Sequence, residues 1–253
     1  MRRQLFLCGL AITLALSGRT VSAQSNPPQP PAEGWQFELV PYLWGSGING
    51  QVGVLGRTAD VDASFANILD HLHFAAMGMA DAHRNQLVVF TDAIYTDVRG
   101  QRATPGPLFS SVDPQQRLFI LTPAAGYRIT DTADTSIDII GGIRFWHTRS
   151  ELQFQPGVLP ALHVEDSRGW VDAIGGVRAR RTLSNRWYLN GYGDLGAGGS
   201  DFTYQLLGSV GIDLHERYAI VLGYRYLSVD YSKNTFLLDT AMKGPVAGFT
   251  IRF

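Results

Sequence analysis

Between Phe202 and Leu214 the sequence reads FTYQLLGSVGIDL, and its side chains change character at almost every step. Phe202, Tyr204, Leu206, Gly208, Val210 and Ile212 share one face. Thr203, Gln205, Ser209, Gly211 and Asp213 share the other, with Leu207 as an interruption. A period of two belongs to a strand whose two faces meet different surroundings. In WVDAIGGVRAR (170–180), Val171, Ala173, Gly175, Val177 and Ala179 likewise alternate with Asp172, Arg178 and Arg180. Both runs exceed the usual strand length of roughly 5–6 residues.

Read for this period, the chain predicts ten strands, with eight to twelve as bounds. They lie at roughly 35–46, 72–84, 86–98, 115–129, 135–150, 168–182, 186–198, 201–214, 217–231 and 236–253. Short turns near Arg84-Asn85, Thr130–Asp134, Ser184-Asn185 and His215-Glu216 fall at one end. The longer loops 47–71, 99–114 and 151–167 fall at the other, with short links at Gly199-Ser200 and Ser232–Thr235. Strands joined in sequence make an antiparallel up-and-down meander. A soluble barrel or sandwich would bury the apolar faces inside. A membrane barrel turns them outward to lipid and keeps the polar faces in the lumen. Strands of about ten residues, an even count and loops of unequal length at the two ends favour the membrane form. Charges on the polar faces agree with a wet interior: Glu38, Asp138, Arg144, Asp172, Arg178, Arg180, Asp194 and Arg225. The expected fold is therefore all-β, an antiparallel up-and-down transmembrane β-barrel over residues 35–253.

The two ends fit this reading. Residues 1–23 carry Arg2 and Arg3, an apolar stretch from Leu5 to Leu16, and a small-residue site ending at Ala23. That is the pattern of a secretory signal peptide. Residues 24–34 (QSNPPQPPAEG) form a Pro-rich linker. Cys8 is the one cysteine and lies in the leader, so no disulfide is expected after cleavage. Loss of Arg2, Arg3 and Arg19 takes the net charge from −1 to −4. No basic face remains for nucleic acid. At the other end, GPVAGFTIRF places Phe249, Ile251 and Phe253 on one face and Thr250 and Arg252 on the other. A closed barrel pairs its last strand with its first, which puts Phe253 at an aromatic girdle.

A final strand of this kind resembles the assembly signal of Gram-negative outer-membrane barrels. PYLWGSGINGQVGVLGRTADVDASFANILDHLHF (41–74), GWVDAIGGVRAR (169–180), LNGYGDLGAGGSDFTYQLLGSVG (189–211) and LGYRYLSVDY (222–231) resemble an uncharacterised proteobacterial group of such proteins. The resemblance covers most of the chain after the leader. It implies residence in the outer membrane, contact with outer-membrane lipid, and recognition by the barrel assembly machinery through the C-terminal strand. It carries no catalytic motif and implies no cofactor.

Several groups are candidates for function. Trp44, Trp146 and Trp170 have lumenal parity near the outer end, whereas Trp35 and Trp187 fit a girdle. The three lumenal tryptophans either stack on a ligand at the mouth or pack the long loops inward and close it. The lumenal charges either set the ion preference of a narrow pore or pair as structural salt bridges. Ten strands enclose a space that side chains can largely fill, which favours pairing. In loop 47–71, Asp62 or Ser64 can cap a short helix carrying Phe65, Ile68, Leu69 and Leu72, lying on the rim or folding into the lumen. Asp60, Asp62, Asp70, His71 and His73 lack a recognisable metal-ligand spacing. His147, and His163 with Glu165 and Asp166, are the candidates for a rim enzyme, but no nucleophile elbow accompanies them. The expected role is a monomeric, non-enzymatic membrane protein, structural or a narrow passive pore. The alternatives are a closed barrel whose loops bind a partner and, less favoured, a rim enzyme.

Overall fold

The computed structural model describes residues 34–54, 57–104, 106–233 and 236–253. The expected leader (1–23) and all but the last residue of the expected linker (24–34) lie outside this set. Ten antiparallel strands form the wall: β1 (Gln36–Trp44), β4 (Leu72–Arg84), β5 (Leu87–Arg99), β7 (Phe109–Asp131), β8 (Thr135–Pro156), β9 (Leu162–Thr182), β10 (Trp187–Gly198), β11 (Phe202–His215), β12 (Tyr218–Lys233) and β13 (Phe236–Arg252). The smaller elements are β2 (Gly47–Val54), β3 (Arg57–Ala63), helix α1 (Phe65–Asp70) and the two-residue β6 (Arg102–Ala103). Wall strands pair in chain order, and β13 returns to β1 through Glu38↔Arg252, Leu39↔Ile251, Tyr42↔Gly248, Leu43↔Ala247 and Trp44↔Val246. The Phe253 amide adds a last bond to the Phe37 carbonyl at 3.0 Å. This is the closed transmembrane barrel expected from the alternation.

Closure satisfies the backbone within the sheet, which hydrocarbon requires. The outer surface then explains the solvent. Phe37, Leu43, Phe74, Leu206, Leu222 and Tyr224 all point outward, and Leu43 is 69% exposed. In water such a belt would far exceed the apolar patch a soluble monomer tolerates. Aromatic rings bound the belt at both ends. Trp35 stacks near Phe37 and Tyr218 on Phe249 at the short-turn end; Phe74 meets Tyr95, and Tyr204 stacks on Tyr226, towards the other. Eight residues separate Tyr218 from Tyr226 along β12. At ~3.3 Å per residue this is about 26 Å along the strand, close to the height of an apolar band. No helix among the described residues is long and apolar enough to cross a membrane.

The strand boundaries at the short-turn end match the sequence reading. In the β4–β5 turn, Asn85 takes a left-handed φ of 52°, a region asparagine tolerates better than most residues. At the other end the reading needs correction. The expected loops 99–114 and 151–167 are mostly strand: β7, β8 and β9 run for 23, 22 and 21 residues, well past the belt. The weak alternation of FSSVDPQQ hides this, because strands standing clear of lipid have no apolar face to repeat.

Loop 47–71 is also mostly ordered. β2 prolongs β1 along β13, pairing Gly47–Gly53 with Lys243–Leu237, and β3 folds back on β2 as a hairpin. Between β1 and β2 the Gly45 amide bonds the Pro245 carbonyl at 2.8 Å. There a Cβ on Gly244 would collide with the Gly45 carbonyl. Ser64 caps α1 by accepting from the Asn67 amide, as its position suggests, and none of the helix residues is buried. The helix therefore stays on the rim and does not plug the lumen.

Candidate functional site

Inward-facing residues fill the lumen in two zones. Towards the long-stranded end lies an apolar layer built from Tyr42, Trp44, Ile94, Ile120, Trp146, Trp170, Leu227, Val229, Tyr231, Met242 and Val246. Trp146 and Trp170 are cross-strand partners in the β8–β9 ladder, so their rings stack at 5.5 Å with 13° between planes. Tyr231 continues the stack, 4.3 Å from Trp170. Trp44 lies beneath the Arg225 guanidinium at 5.0 Å. The three tryptophans expected at the mouth are 6%, 2% and 7% exposed in chain order. They are brought together, but as a barrier inside the barrel rather than a surface on which a ligand could stack. They fill this level of the lumen with their own rings. Their indole N–H groups have no acceptor among the described residues.

Two buried ion pairs lock into this layer. Arg144 and Asp194 are both fully buried and meet at 2.6 Å. Arg144 also donates to Thr122 and Thr203 at 3.3 Å, and Asp194 accepts from the Tyr192 hydroxyl. Arg225 donates to Asp92 at 2.5 Å and to Gln205 and the Tyr42 hydroxyl at 2.7 Å. Guanidinium supplies several donors in a planar fork, so one Arg can tie together three strands.

Towards the short turns the lumen opens into a cavity of about 430 Å³. Its charges are paired across strands. Glu38 holds Arg252 at 2.8 Å and Arg180 at 3.6 Å. Asp138 holds Arg128 at 2.9 Å and Arg178 at 3.6 Å, and Arg178 also bonds Asp81. Arg180 rests its guanidinium 3.8 Å from the centre of the Tyr188 ring, a favourable cation–π geometry.

Seven of the eight lumenal charges named from the sequence thus enter ion pairs. Asp172 is the correction. It is fully buried, yet one carboxylate oxygen accepts the Ser200 amide at 2.7 Å and the other has no hydrogen-bond partner among the described residues. It fastens the β10–β11 turn rather than balancing an arginine. Asp81, Asp92 and Arg128 were missed in the sequence. LVVFTDAIYTDV carries apolar residues on both faces, so Asp92 has no polar neighbours at i±2 to mark its face.

The other candidates separate. His147 faces outward, between the buried Trp146 and Thr148. His163 is half exposed, 3.8 Å from Glu165. In the β8–β9 ladder His147 opposes Gly169 and His163 opposes Gln153. Six rungs lie between them, roughly 20 Å at ~3.3 Å each. Asp60 and Asp62 accept hydrogen bonds from Gln51 and Asn49 across the β2–β3 hairpin. Among the described residues, no three His, Cys, Asp or Glu side chains gather where they could hold a metal ion.

No protein-family model matches the chain, and no curated protein matches it. Among solved structures it is similar to the outer membrane protease OmpT from Escherichia coli. The identity is 9% over 89% of this chain and 99% of that one, with a TM-score of 0.52. It is also similar to the translocator domain of the autotransporter NalP from Neisseria meningitidis, at 12% identity over 87% and 88% of the two chains and a TM-score of 0.46. Neisserial surface protein A is a third, at 13% identity over 87% and 100% and a TM-score of 0.39. At such identities the likeness to OmpT speaks for a shared barrel fold alone.

Proposed function

We propose that this protein is an exported, integral outer-membrane barrel that does not conduct and does no chemistry. On this reading its working surface is the long-stranded end, which stands outside the cell. The observation that carries the reading is the lumenal layer. Stacked Trp146, Trp170 and Tyr231, together with the buried Arg144–Asp194 and Arg225–Asp92 pairs, leave the cavity blind at one end. A porin keeps its charges hydrated along a water path, whereas these two pairs are buried. Paired lumenal charges then serve the wall: Arg178–Asp81, Arg225–Asp92 and Arg252–Glu38 tie strands that are distant in sequence.

The other half of the proposal concerns the rim. β7, at 23 residues, has about twice the length needed to cross a bilayer. With β8 and β9 it raises a wall whose tip exposes Leu108, Val158, Leu159 and Leu162. Such a wall is suited to contact with another macromolecule or with the envelope surface. Assembly would follow from export of the leader-bearing chain and recognition of the strand ending in Phe253, and the barrel would act as a monomer.

The test is single-channel recording on the refolded protein lacking residues 1–23, in planar bilayers. Folding is checked first by the difference in gel migration between unheated and boiled samples. Silent bilayers containing folded protein are expected. Reproducible conductance steps with a defined ion preference would overturn the closed-barrel reading.

A further inference from the structure

Besides short gaps at Val40-Pro41 in the β1–β13 ladder and Thr122-Pro123 in the β7–β8 ladder, the wall has a longer interruption between β1 and β4. The β1–β4 ladder runs from Gln36↔His83 to Pro41↔Gly78 and stops. Continued in register, it would oppose Tyr42 to Met77, Leu43 to Ala76 and Trp44 to Ala75. These pairs are not made, although both strands stay in the sheet. Tyr42, Leu43 and Trp44 remain paired with β13, and Ala75, Ala76 and Met77 with β5. Pro41 is not the cause: Phe37 and Gly45, of the same parity, bond to β13, so the missing N–H of Pro41 falls on that side, where the ladder skips Val40 and Pro41.

A groove of about 510 Å³ occupies the seam. Its sides come from opposite faces of the sheet. Leu43, Ala247 and Phe249 belong to the outward face. Ala75 and Met77 have the lumenal parity of Met79 and Asp81, which line the inner cavity. The groove is a shallow, open depression whose floor includes these side chains, and Met77 also packs against the lumenal apolar layer. Tyr42 and Gly248 line both the groove and the inner cavity, so the Tyr42 ring stands between the two.

The surroundings specify the occupant. The seam starts six rungs above the short-turn end of β1, at roughly 3.3 Å per rung before tilt. That places it within the apolar belt, where the neighbouring medium is hydrocarbon. The groove walls are apolar apart from the Tyr42 hydroxyl, which is already engaged by Asp92 and Arg225. Nothing in the walls would recognise a charged or hydrogen-bonding ligand.

We propose that the β1–β4 seam is a lateral lipid site: one acyl chain of a surrounding membrane lipid enters beside Leu43 and packs against Met77 and Tyr42. The site rests on the transmembrane fold and is independent of whether the lumen conducts.

Site-directed spin labelling tests it, since the one cysteine of the chain, Cys8, lies in the leader. Met77→Cys is labelled in the protein lacking residues 1–23, reconstituted in phosphatidylcholine vesicles, with Leu43→Cys as the bilayer-facing reference and Met79→Cys as the lumenal one. Oxygen accessibility at Met77→Cys is expected to match Leu43→Cys and to exceed Met79→Cys several-fold, with little access for a water-soluble nickel reagent. Access for nickel instead of oxygen would make the seam part of the aqueous lumen and overturn the proposal. So would access for neither, as in a sealed wall, or spin–spin broadening that puts a second copy in the groove. Ala75→Cys reads the same seam should Met77→Cys fold poorly.

Discussion

Replacing Arg144 with Met leaves Asp194 as a buried carboxylate without its cation. Both side chains have no solvent-exposed surface, and among the described residues their 2.6 Å contact is joined by hydrogen bonds from Arg144 to Thr122 and Thr203 and from Tyr192 to Asp194. Removing one partner of such a pair costs about 3–5 kcal/mol, because the surviving charge has lost its water and gained nothing. Replacing both, as Arg144→Met with Asp194→Leu, removes the charge along with its partner and should return the barrel to within about 1–2 kcal/mol of the parent. The Tyr192 hydroxyl then loses its acceptor, which keeps the double variant from being fully neutral. Equilibrium urea unfolding in detergent micelles, followed by tryptophan fluorescence, reads the difference. With a slope of about 2–3 kcal/mol/M, the single variant should lower the midpoint by roughly 1–2 M and the double variant by far less. A single variant within about 1 kcal/mol of the parent would show that Asp194 finds water, and that the layer is wet. A double variant as unstable as the single one would assign the loss to packing rather than to charge.

Other perturbations probe separate parts of the fold. Gly244→Ala should cost about 1–3 kcal/mol in the same titration, because its Cβ would meet the Gly45 carbonyl where β1 passes into β2. Gly208→Ala, with open space around its Cβ, is the contrast, and should stay within about 0.5 kcal/mol of the parent. Asp172→Ala removes the acceptor of the Ser200 amide, at a cost of about 1–3 kcal/mol; amide exchange should quicken at Ser200 before it does elsewhere in β10 and β11. Deleting Phe253 removes the last bond to Phe37 and should lower the amount of heat-modifiable barrel in the outer membrane. Unchanged levels would show that the terminal aromatic is dispensable for assembly.

What the sequence determined by itself was the direction of side chains wherever the two faces of a strand differ in polarity. Parity along a strand is local, so stretches such as FTYQLLGSVGIDL and WVDAIGGVRAR were enough to give strands, two faces, a barrel and eight of the lumenal charges, though not Asp81, Asp92 and Arg128. Cap and turn chemistry was local too, which is why Ser64 and the short turns were legible. What only the tertiary structure decided was who meets whom. Arg225 reaches Asp92 across 133 residues, and Arg144 reaches Asp194 across 50. Those distances are bridged by the register of every intervening ladder and by the curvature of the closed wall, and alternation along one strand records neither. The same is true of Asp172, whose partner is a turn amide rather than an arginine. It is true of the tryptophans, whose lumenal parity was plain but whose burial as one stack depends on Trp170 lying opposite Trp146. The seam between β1 and β4 belongs here as well: Tyr42–Trp44 and Ala75–Met77 each keep one paired neighbour, and nothing in either strand records that they do not pair with each other.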